Sequence, residues 1–382
     1  MKQLRVMTIF GTRPEAIKMA PLVQELSRRP GVESLCCVTA QHREMLDAVL
    51  RIFRLQPDYD LDIMEPRQTL STITSKCLTG VERVLQEARP DLVLVHGDTS
   101  TTFSAALAAF YQQVKVGHVE AGLRTYDKYS PFPEEMNRTL VGDIADLHFC
   151  PTPANRENLA QEGIQKGVFL TGNTVIDAMA TTVRKDFSFT TELLNELDYQ
   201  GRRVILVTCH RRENYGEPMA HIMTALRRLV EDHPETELVS PVHLSPVVRE
   251  AAGQYLSGHP RIHLIDPLDV EEMHNLMARC YLVMTDSGGL QEEAPALGKP
   301  VLVLRRETER PEAVAAGTVK LAGTEEEAVY RLGAELLEDP EAYAKMAHAV
   351  NPYGDGRACE RIGDAIEWSF GLRPEPPEPF QA

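Results

Sequence analysis

The sequence lacks long hydrophobic segments, paired cysteines and metal-binding motifs. No run of about 18 apolar residues occurs, so we expect no membrane-spanning helix and no membrane partner. The first ten residues, MKQLRVMTIF, have no signal-peptide pattern. The seven cysteines form no C-x-x-C pair and are interpreted as small buried hydrophobes in a reducing cytoplasm. Because no H-E-x-x-H or similar spacing occurs, we predict no metal site.

Basic residues are also fewer than acidic residues. The chain has 40 basic and 56 acidic residues, a net charge of -16, which argues against nucleic acid or an anionic membrane as a partner. An anionic small molecule stays compatible with this balance, because clustered arginines and helix N-termini bind phosphate locally. No G-x-G-x-x-G follows any predicted strand, so a bound dinucleotide is disfavoured and we predict no cofactor.

The pattern of apolar runs predicts an α/β protein. At 382 residues, and about 150 per domain, two or three domains are expected. Short β-branched runs alternate with helix-period segments, with six predicted strands in each half. This alternation predicts parallel sheets covered by helices, arranged as two doubly wound, Rossmann-like domains facing a cleft. Strand count alone leaves a single eight-fold barrel open as the alternative.

We place the domain boundary after Gly172. Residues 1–172 form the first predicted domain and residues 173–356 the second. The last predicted helix spans 357–370, and residues 371–382 form a Pro-rich tail that we expect to be frayed or extended.

The first strand leads into a segment that could meet a phosphate. Thr12 and Glu15 have capping-box spacing, so Glu15 is interpreted as a helix cap rather than a catalyst. Arg13 lies where free backbone N–H groups would meet a phosphate, and Lys18 follows one turn later. A solvated surface pair is the alternative for these two cations.

Three carboxylates follow strand ends or begin a helix in the first half. Asp98 follows the third strand, where capping the next helix is its alternative role. Glu120 follows the fourth strand, where a salt bridge to Arg124 is the alternative. Glu134 lies at a helix start, where an acid also compensates the helix dipole. Their recurrence in one domain makes them candidate acid–base groups.

The second half carries the strongest local signal. Two glycines, Gly288 and Gly289, follow Ser287 at a predicted helix start, where backbone amides can approach a phosphate. Glu293, one turn on, could accept hydrogen bonds from ribose, and the arginines that follow the next strand add positive charge: Arg305, Arg306 and Arg310. Earlier in this half, His210 stands beside two arginines, which would lower its pKa, whereas His243 is interpreted as structural.

Together these segments resemble the non-hydrolysing UDP-N-acetylglucosamine 2-epimerases of bacteria. The matching segments run in order through both halves of the chain: GTRPEAIKMAPL (11–22), AQHREMLD (40–47), VHGDTSTT (95–102), HVEAGLRT (118–125), PFPEEMNR (131–138), GNTVIDAM (172–179), HRRENYG (210–216), TDSGGLQEEAPALGKPVLVLR (285–305) and TERPEAVAAGTV (308–319).

The resemblance implies a GT-B-like fold whose last helix packs back on the first domain. It implies interconversion of UDP-GlcNAc and UDP-ManNAc by a homodimer, supplying cell-surface polysaccharide synthesis. UDP would leave C1 as a proton leaves C2, and UDP would then re-add to the 2-acetamidoglucal. The implied catalytic residues are Asp98, Glu120, Glu134 and His210; the implied UDP-binding residues are Arg13, Ser287, Gly288, Glu293 and Arg310; Lys18 is a matched position of less certain role.

Some members of the family bind a second UDP-GlcNAc as an activator. The matching positions, beside Glu134, are Gln41, Arg67, Arg211 and His243. At one further position of that site, some members have a glutamine where this sequence has Glu44. Further departures are Cys209, where Ala is usual, and Val270 and Met273, where aromatic residues would contact the uracil ring.

Three other functions compete with this interpretation. A hydrolysing relative would release ManNAc and UDP, a GT-B glycosyltransferase would need an acceptor site, and a non-enzymatic UDP-sugar sensor would need no converging acids. The sensor is favoured only if Asp98, Glu120 and Glu134 fail to come together.

Overall fold

The computed structural model describes residues 3–41, 43–65 and 67–381. Contacts divide these residues into two compact units. The first comprises the described residues up to Thr181 and those from Tyr353 onward, and the second is Thr182–Pro352. The boundary thus falls after Thr181, whereas the sequence pattern placed it after Gly172.

Each unit is built on one parallel sheet. In the first, the strand order is β3-β2-β1-β4-β5-β6-β7, with β1 (Leu4–Phe10), β2 (Val32–Val38), β3 (Tyr59–Asp60), β4 (Leu92–His96), β5 (Lys115–Val119), β6 (Leu147–Cys150) and β7 (Val168–Leu170). In the second, it is β10-β9-β8-β11-β12-β13, with β8 (Arg203–Thr208), β9 (Thr236–Pro241), β10 (Ile262–Ile265), β11 (Leu282–Thr285), β12 (Val301–Val303) and β13 (Val319–Leu321).

Helices connect successive strands in both units. In the first unit they are α1 (Arg13–Ser27), α2 (Arg43–Ile52), α3 (Leu70–Ala88), α4 (Ser100–Tyr111), α5 (Glu134–Ile144), α6 (Pro153–Gln161) and α7 (Thr174–Thr182). In the second they are α8 (Glu192–Glu196), α9 (Glu217–Asp232), α10 (Pro246–Leu256), α11 (Val270–Arg279), α12 (Gly288–Ala296), α13 (Pro311–Ala316), α14 (Glu326–Glu338) and α15 (Pro340–Ala347); α16 (Ala358–Ser369) returns to the first.

The central strands are apolar on both faces because helices cover both faces. Along β1, Val6 and Phe10 belong to one buried cluster and Met7 and Ile9 to another. This alternation follows the two-residue period of a strand. The predicted doubly wound α/β class is confirmed, and the barrel alternative is wrong, because both sheets are open.

The chain's last helix and tail complete the first unit. Arg29, two residues beyond the end of α1, contacts Asp364 at 2.8 Å and Glu367 at 2.7 Å, and α16 packs on α1. The tail is extended but anchored rather than frayed, since Phe380 is buried and its backbone amide donates to the Leu170 carbonyl. All seven cysteines are buried free thiols, as predicted. Over the described ranges, no helix is both long and apolar enough to cross a membrane.

The strand orders fix where a ligand would meet each sheet. The order reverses direction between β1 and β4 in the first unit and between β8 and β11 in the second. Loops that leave the carboxyl ends of such strands diverge and open a crevice. Arg13 and Asp98 follow the first pair, and His210 and Ser287 follow the second.

Candidate functional site

Glu15 holds the loop after β1. Its carboxylate accepts hydrogen bonds from the backbone amides of Gly11 and Thr12 at 3.1 and 2.8 Å, and from the Thr99 hydroxyl at 2.8 Å. Burial raises the pKa of Glu15, which these hydrogen bonds oppose. The capping interpretation of Glu15 is confirmed.

Asp98 is not a helix cap. The α4 cap is Thr99, whose hydroxyl accepts from the Thr102 amide at 3.1 Å, so the capping alternative for Asp98 is wrong. The Asp98 carboxylate instead accepts from Arg138 at 2.5 Å. Burial raises the pKa of Asp98 to about 6; Arg138 opposes this rise, and the negative charges of Glu120 and Glu134 add to it. Such a carboxyl can give or take a proton near neutral pH.

Glu120 lies in a left-handed backbone conformation, with φ of 62° at the end of β5. A non-glycine residue there carries strain, which is commonly found at functional sites. Its carboxylate accepts a hydrogen bond from the Lys18 ammonium and one from the Asn173 amide at 3.1 Å. The expected salt bridge to Arg124 is wrong, because that guanidinium pairs with Glu162 at 2.7 Å.

Glu134 begins α5 and borders a cavity of about 480 Å³ within the first unit. Arg13, Gln41 and Asp98 line the same cavity. Asp98 and Glu134 thus share this cavity. The negative charges of Glu120 and Glu134 both raise the pKa of Asp98, which indicates that the three predicted acids lie near one another. The Arg13 side chain is exposed at the cavity wall.

Two buried histidines support these acids, and sequence reasoning missed both. His118 Nε2 lies 2.7 Å from the Gly97 carbonyl, next to Asp98, and His96 Nε2 lies 3.7 Å from the Glu120 carboxylate. Burial lowers the pKa of His96 to about 4 and that of His118 to about 3. Both rings are therefore neutral at pH 7. Their place at strand ends within the HGD and HVE segments was the available signal.

In the second unit, a fully buried carboxylate, Asp286, organises the loop after β8. It accepts from the backbone amides of His210 and Arg211 at 2.8 and 2.7 Å, and its other oxygen lies 3.4 Å from His210 Nδ1. The His210 ring stacks on His243 with centroids 5.3 Å apart. Burial lowers the pKa of His210, with further lowering from His243 and Arg211. Asp286 was also missed, although it precedes the predicted Ser287 directly.

The predicted helix start after Ser287 is present. Ser287 precedes α12, and the first backbone amides of that helix have no intrahelical partner. Glu293 lies 3.5 Å from His274 Nε2, which orients its carboxylate. Arg310 donates to Glu292 at 2.6 Å.

The other two arginines of this region are paired with carboxylates, as Arg310 is. Arg305 is buried and held by Glu213 at 2.6 Å and by Glu309 at 2.5 Å. Arg306 is exposed and contacts Glu325. The expectation that both add charge beside the phosphate stays a prediction, and carboxylates offset both charges as Glu292 offsets that of Arg310.

The four positions matched to an activator site are divided between the units. Gln41 accepts from the Thr101 hydroxyl at 3.0 Å, and Arg67 is exposed with φ of 60°. In the second unit, Arg211 lies 3.3 Å from Glu309, and His243 is the stacking partner of His210. His42 of the matching segment lies outside the described residues.

The family model for UDP-N-acetylglucosamine 2-epimerase matches residues 24–367. The chain belongs to this family. A relative from Bacillus subtilis, named UDP-N-acetylglucosamine 2-epimerase, is 56% identical over 382 residues, covering 100% of this chain and 99% of the relative.

Solved structures of proteins from the epimerase family are similar to this chain. A structure from Listeria monocytogenes has a TM-score of 0.94 at 54% identity, covering 100% of both chains. The Neisseria meningitidis UDP-GlcNAc 2-epimerase bound to UDP-GlcNAc has a TM-score of 0.85 at 48% identity, covering 96% of this chain and 100% of that one. The GT-B-like architecture that the sequence predicted is thus confirmed.

Proposed function

We propose that this protein interconverts UDP-GlcNAc and UDP-ManNAc without hydrolysing the intermediate. The observation that carries the proposal is that Asp98 and Glu134 line one cavity of the first unit, while the charge of Glu120 also raises the pKa of Asp98. The activity for which the family is named and the UDP-GlcNAc bound by the Neisseria relative support the substrate class. The convergence of the acids argues against a sugar-nucleotide sensor, which has no need of them.

The proposed reaction is an elimination followed by an addition. The C1–O bond to UDP breaks as a carboxylate takes the C2 proton, which leaves 2-acetamidoglucal. UDP then re-adds at C1 while an acid delivers a proton to the opposite face of C2. A buried carboxyl whose pKa lies near neutrality suits one of these transfers, and Asp98 is such a group.

The second unit would bind and stabilise UDP. The first amides of α12, at Gly288 and Gly289, would meet the diphosphate, and the Glu293 carboxylate would accept from ribose hydroxyls. His210, held by Asp286, would stabilise the departing diphosphate or hand it a proton. Donors aimed at a developing negative charge each contribute about 3 to 4 kcal/mol in comparable sites.

Proton NMR of UDP-GlcNAc in heavy water tests the proposal. We expect a mixture of UDP-GlcNAc and UDP-ManNAc carrying deuterium at C2. Free ManNAc and UDP would instead indicate the hydrolysing reaction, and an unchanged spectrum with UDP bound would favour a glycosyltransferase.

Amide variants test the three acids. Asp98→Asn, Glu120→Gln and Glu134→Gln should each abolish turnover while UDP still binds, because the amide cannot exchange a proton. Full activity in all three variants would refute the mechanism.

We further propose that the enzyme is a cytoplasmic homodimer that supplies cell-surface polysaccharide synthesis. Phe110 and Tyr111 of α4 are 59% and 60% exposed, and Met136 and Leu140 of the neighbouring α5 are also exposed, which suits burial by a second copy. Sedimentation should give the mass of a dimer, and Phe110→Asp should shift it towards the monomer.

We also propose that a second UDP-GlcNAc activates the enzyme through Gln41, Arg67, Arg211 and His243. The initial rate should then depend sigmoidally on UDP-GlcNAc concentration. Arg67→Gln should make the dependence hyperbolic, and a wild-type enzyme with a hyperbolic dependence would refute the proposal.

A further inference from the structure

A separate concavity of about 660 Å³ lies within the second unit, and we call it the basal cavity. Arg202 and Tyr281, which directly precede β8 and β11, line it together with Lys299, just before β12. It therefore borders the amino-terminal edge of the sheet, opposite the edge that carries His210 and Ser287. Its size is that of a small-molecule site.

The lining of the basal cavity is strongly basic although the whole chain has a net charge of -16. Its one carboxylate is Asp198, whereas five lining residues are basic: Arg184, Lys185, Arg202, Arg279 and Lys299. Glu271 offsets Arg184 at 2.7 Å, and Glu237 lies 3.6 Å from Arg202. Within the described part of the chain, the ammonium groups of Lys185 and Lys299 have no hydrogen bond or ion pair.

Arg279 is held in place without a carboxylate. Its guanidinium donates to the Phe187 carbonyl at 2.6 Å and lies over the rings of Phe189 and Tyr199, at 4.9 and 5.9 Å from their centroids. A planar guanidinium fixed by aromatic rings keeps its other N–H donors oriented for an anion. Arg279 is thus a preorganised donor in the wall.

Two stacked tyrosines form a firm part of the same wall. The rings of Tyr281 and Tyr343 lie 4.2 Å apart, and their hydroxyls donate to the carbonyls of Leu336 and Tyr281. Because these hydroxyls are already satisfied, the tyrosines shape the cavity and leave anion binding to the cations.

We propose that the basal cavity binds a polyphosphate anion. Lys185, Arg279 and Lys299 provide three positive charges that form no ion pair within the described residues, against the single carboxylate of Asp198 in the lining. This excess of positive charge suits a diphosphate or triphosphate better than a single carboxylate. The phosphate chain could belong to free polyphosphate or to a nucleotide. This site is distinct from the residues proposed to bind UDP and does not rest on the proposed reaction.

Calorimetric titration of the full chain with tripolyphosphate tests the proposal, and the cavity variant Lys185→Gln/Lys299→Gln separates binding in the basal cavity from binding at the start of α12. We expect binding to the wild type and a dissociation constant at least tenfold higher in Lys185→Gln/Lys299→Gln. The matched control Lys166→Gln/Lys345→Gln makes the same charge change outside the cavity and should bind as the wild type does. No binding to the wild type, or equal affinity in the cavity variant, overturns the proposal.

A parallel titration with ATP distinguishes the two sources of phosphate. Binding of ATP at least tenfold tighter than tripolyphosphate, lost in the cavity variant, assigns the site to a nucleotide. Equal affinities, both lost in the cavity variant, assign it to the phosphate chain alone. If the cavity variant keeps the affinity for both ligands, they bind elsewhere and the proposal fails. Thermal unfolding of both double variants checks that they remain folded.

Discussion

At the scale of the residue, a half-buried aspartate and a fully buried one have different roles. Asp98 has a pKa raised to about 6, first by burial, and is the group expected to move a proton. Asp286 is fully buried beside His210 and receives backbone amides, so its charge sets the loop geometry. One acid titrates in the working pH range, and the other positions its neighbour.

The titration of Asp98 leads to a pH prediction. The profile of kcat/KM should show an ionisation at about pH 6, and Arg138→Gln should move it upward by about one unit, because the guanidinium lowers the pKa of Asp98. The measurement is C2 deuterium exchange from pH 5 to 9. Arg124→Gln, which loses a pair with Glu162 instead, is the control and should leave the ionisation in place. If the ionisation in the kcat/KM profile of Arg138→Gln stays at the wild-type pH, the assignment to Asp98 is contradicted.

Asp286→Asn should lower kcat by about ten- to a hundredfold, the equivalent of losing a hydrogen bond to a charged group. The amide removes the negative charge that holds the His210 and Arg211 amides. Steady-state kinetics and a separate UDP titration would distinguish lost catalysis from lost binding. Asp232→Asn, a change at an acid that contacts Tyr330, is the control. A fully active Asp286→Asn variant would show that the loop after β8 does not depend on the negative charge of Asp286.

At the scale of the element, the start of α4 separates a structural residue from a chemical one. Thr99 caps the helix and donates to Glu15, whereas its neighbour Asp98 faces Arg138. Thr99→Ala should therefore lower the free energy of unfolding by about 1 kcal/mol. Asp98→Asn should abolish turnover without that loss. Urea denaturation of the two variants checks this, and equal stability of Thr99→Ala and the wild type would argue against the cap.

At the scale of the whole molecule, three neutral histidines make stability depend on pH. His96, His118 and His148 lie on neighbouring strands β4, β5 and β6, and burial lowers their pKa values to about 4, 3 and 4. Below pH 6.5 the unfolded chain binds protons that the folded chain does not. Their contribution to the free energy of unfolding is thus present above pH 6.5 and is lost as the pH falls towards 4.

Each of these histidines should lower the free energy of unfolding by at most about 1.4 kcal/mol for each pH unit in this range. In His118→Gln, the fall in unfolding free energy between pH 6.5 and 5 should be shallower than in the wild type. Urea denaturation across this range measures the slope, with the exposed His348→Gln as the control. A slope unchanged by His118→Gln would contradict the prediction.

The sequence by itself determined the strands, the class of fold and the site segments. The second half has the six strands that its apolar runs predicted, because buried parallel strands need apolar side chains on both faces. The two-residue strand Tyr59–Asp60 was missed, since so short a strand has no periodicity. The quoted motifs carry the resemblance to the family, and parallel strands bring those that follow strand ends to one edge of each sheet.

Only the tertiary structure decided which partner each of these residues takes. Glu120 pairs with Lys18 rather than with Arg124, four residues away, because sheet packing brings α1 beside the end of β5. Thr99 rather than Asp98 caps α4, and the buried Asp286 lies beneath His210. Such pairings depend on distances between elements far apart in the chain. Local periodicity encodes which face a residue occupies, whereas its partner is set by the packing of the layers.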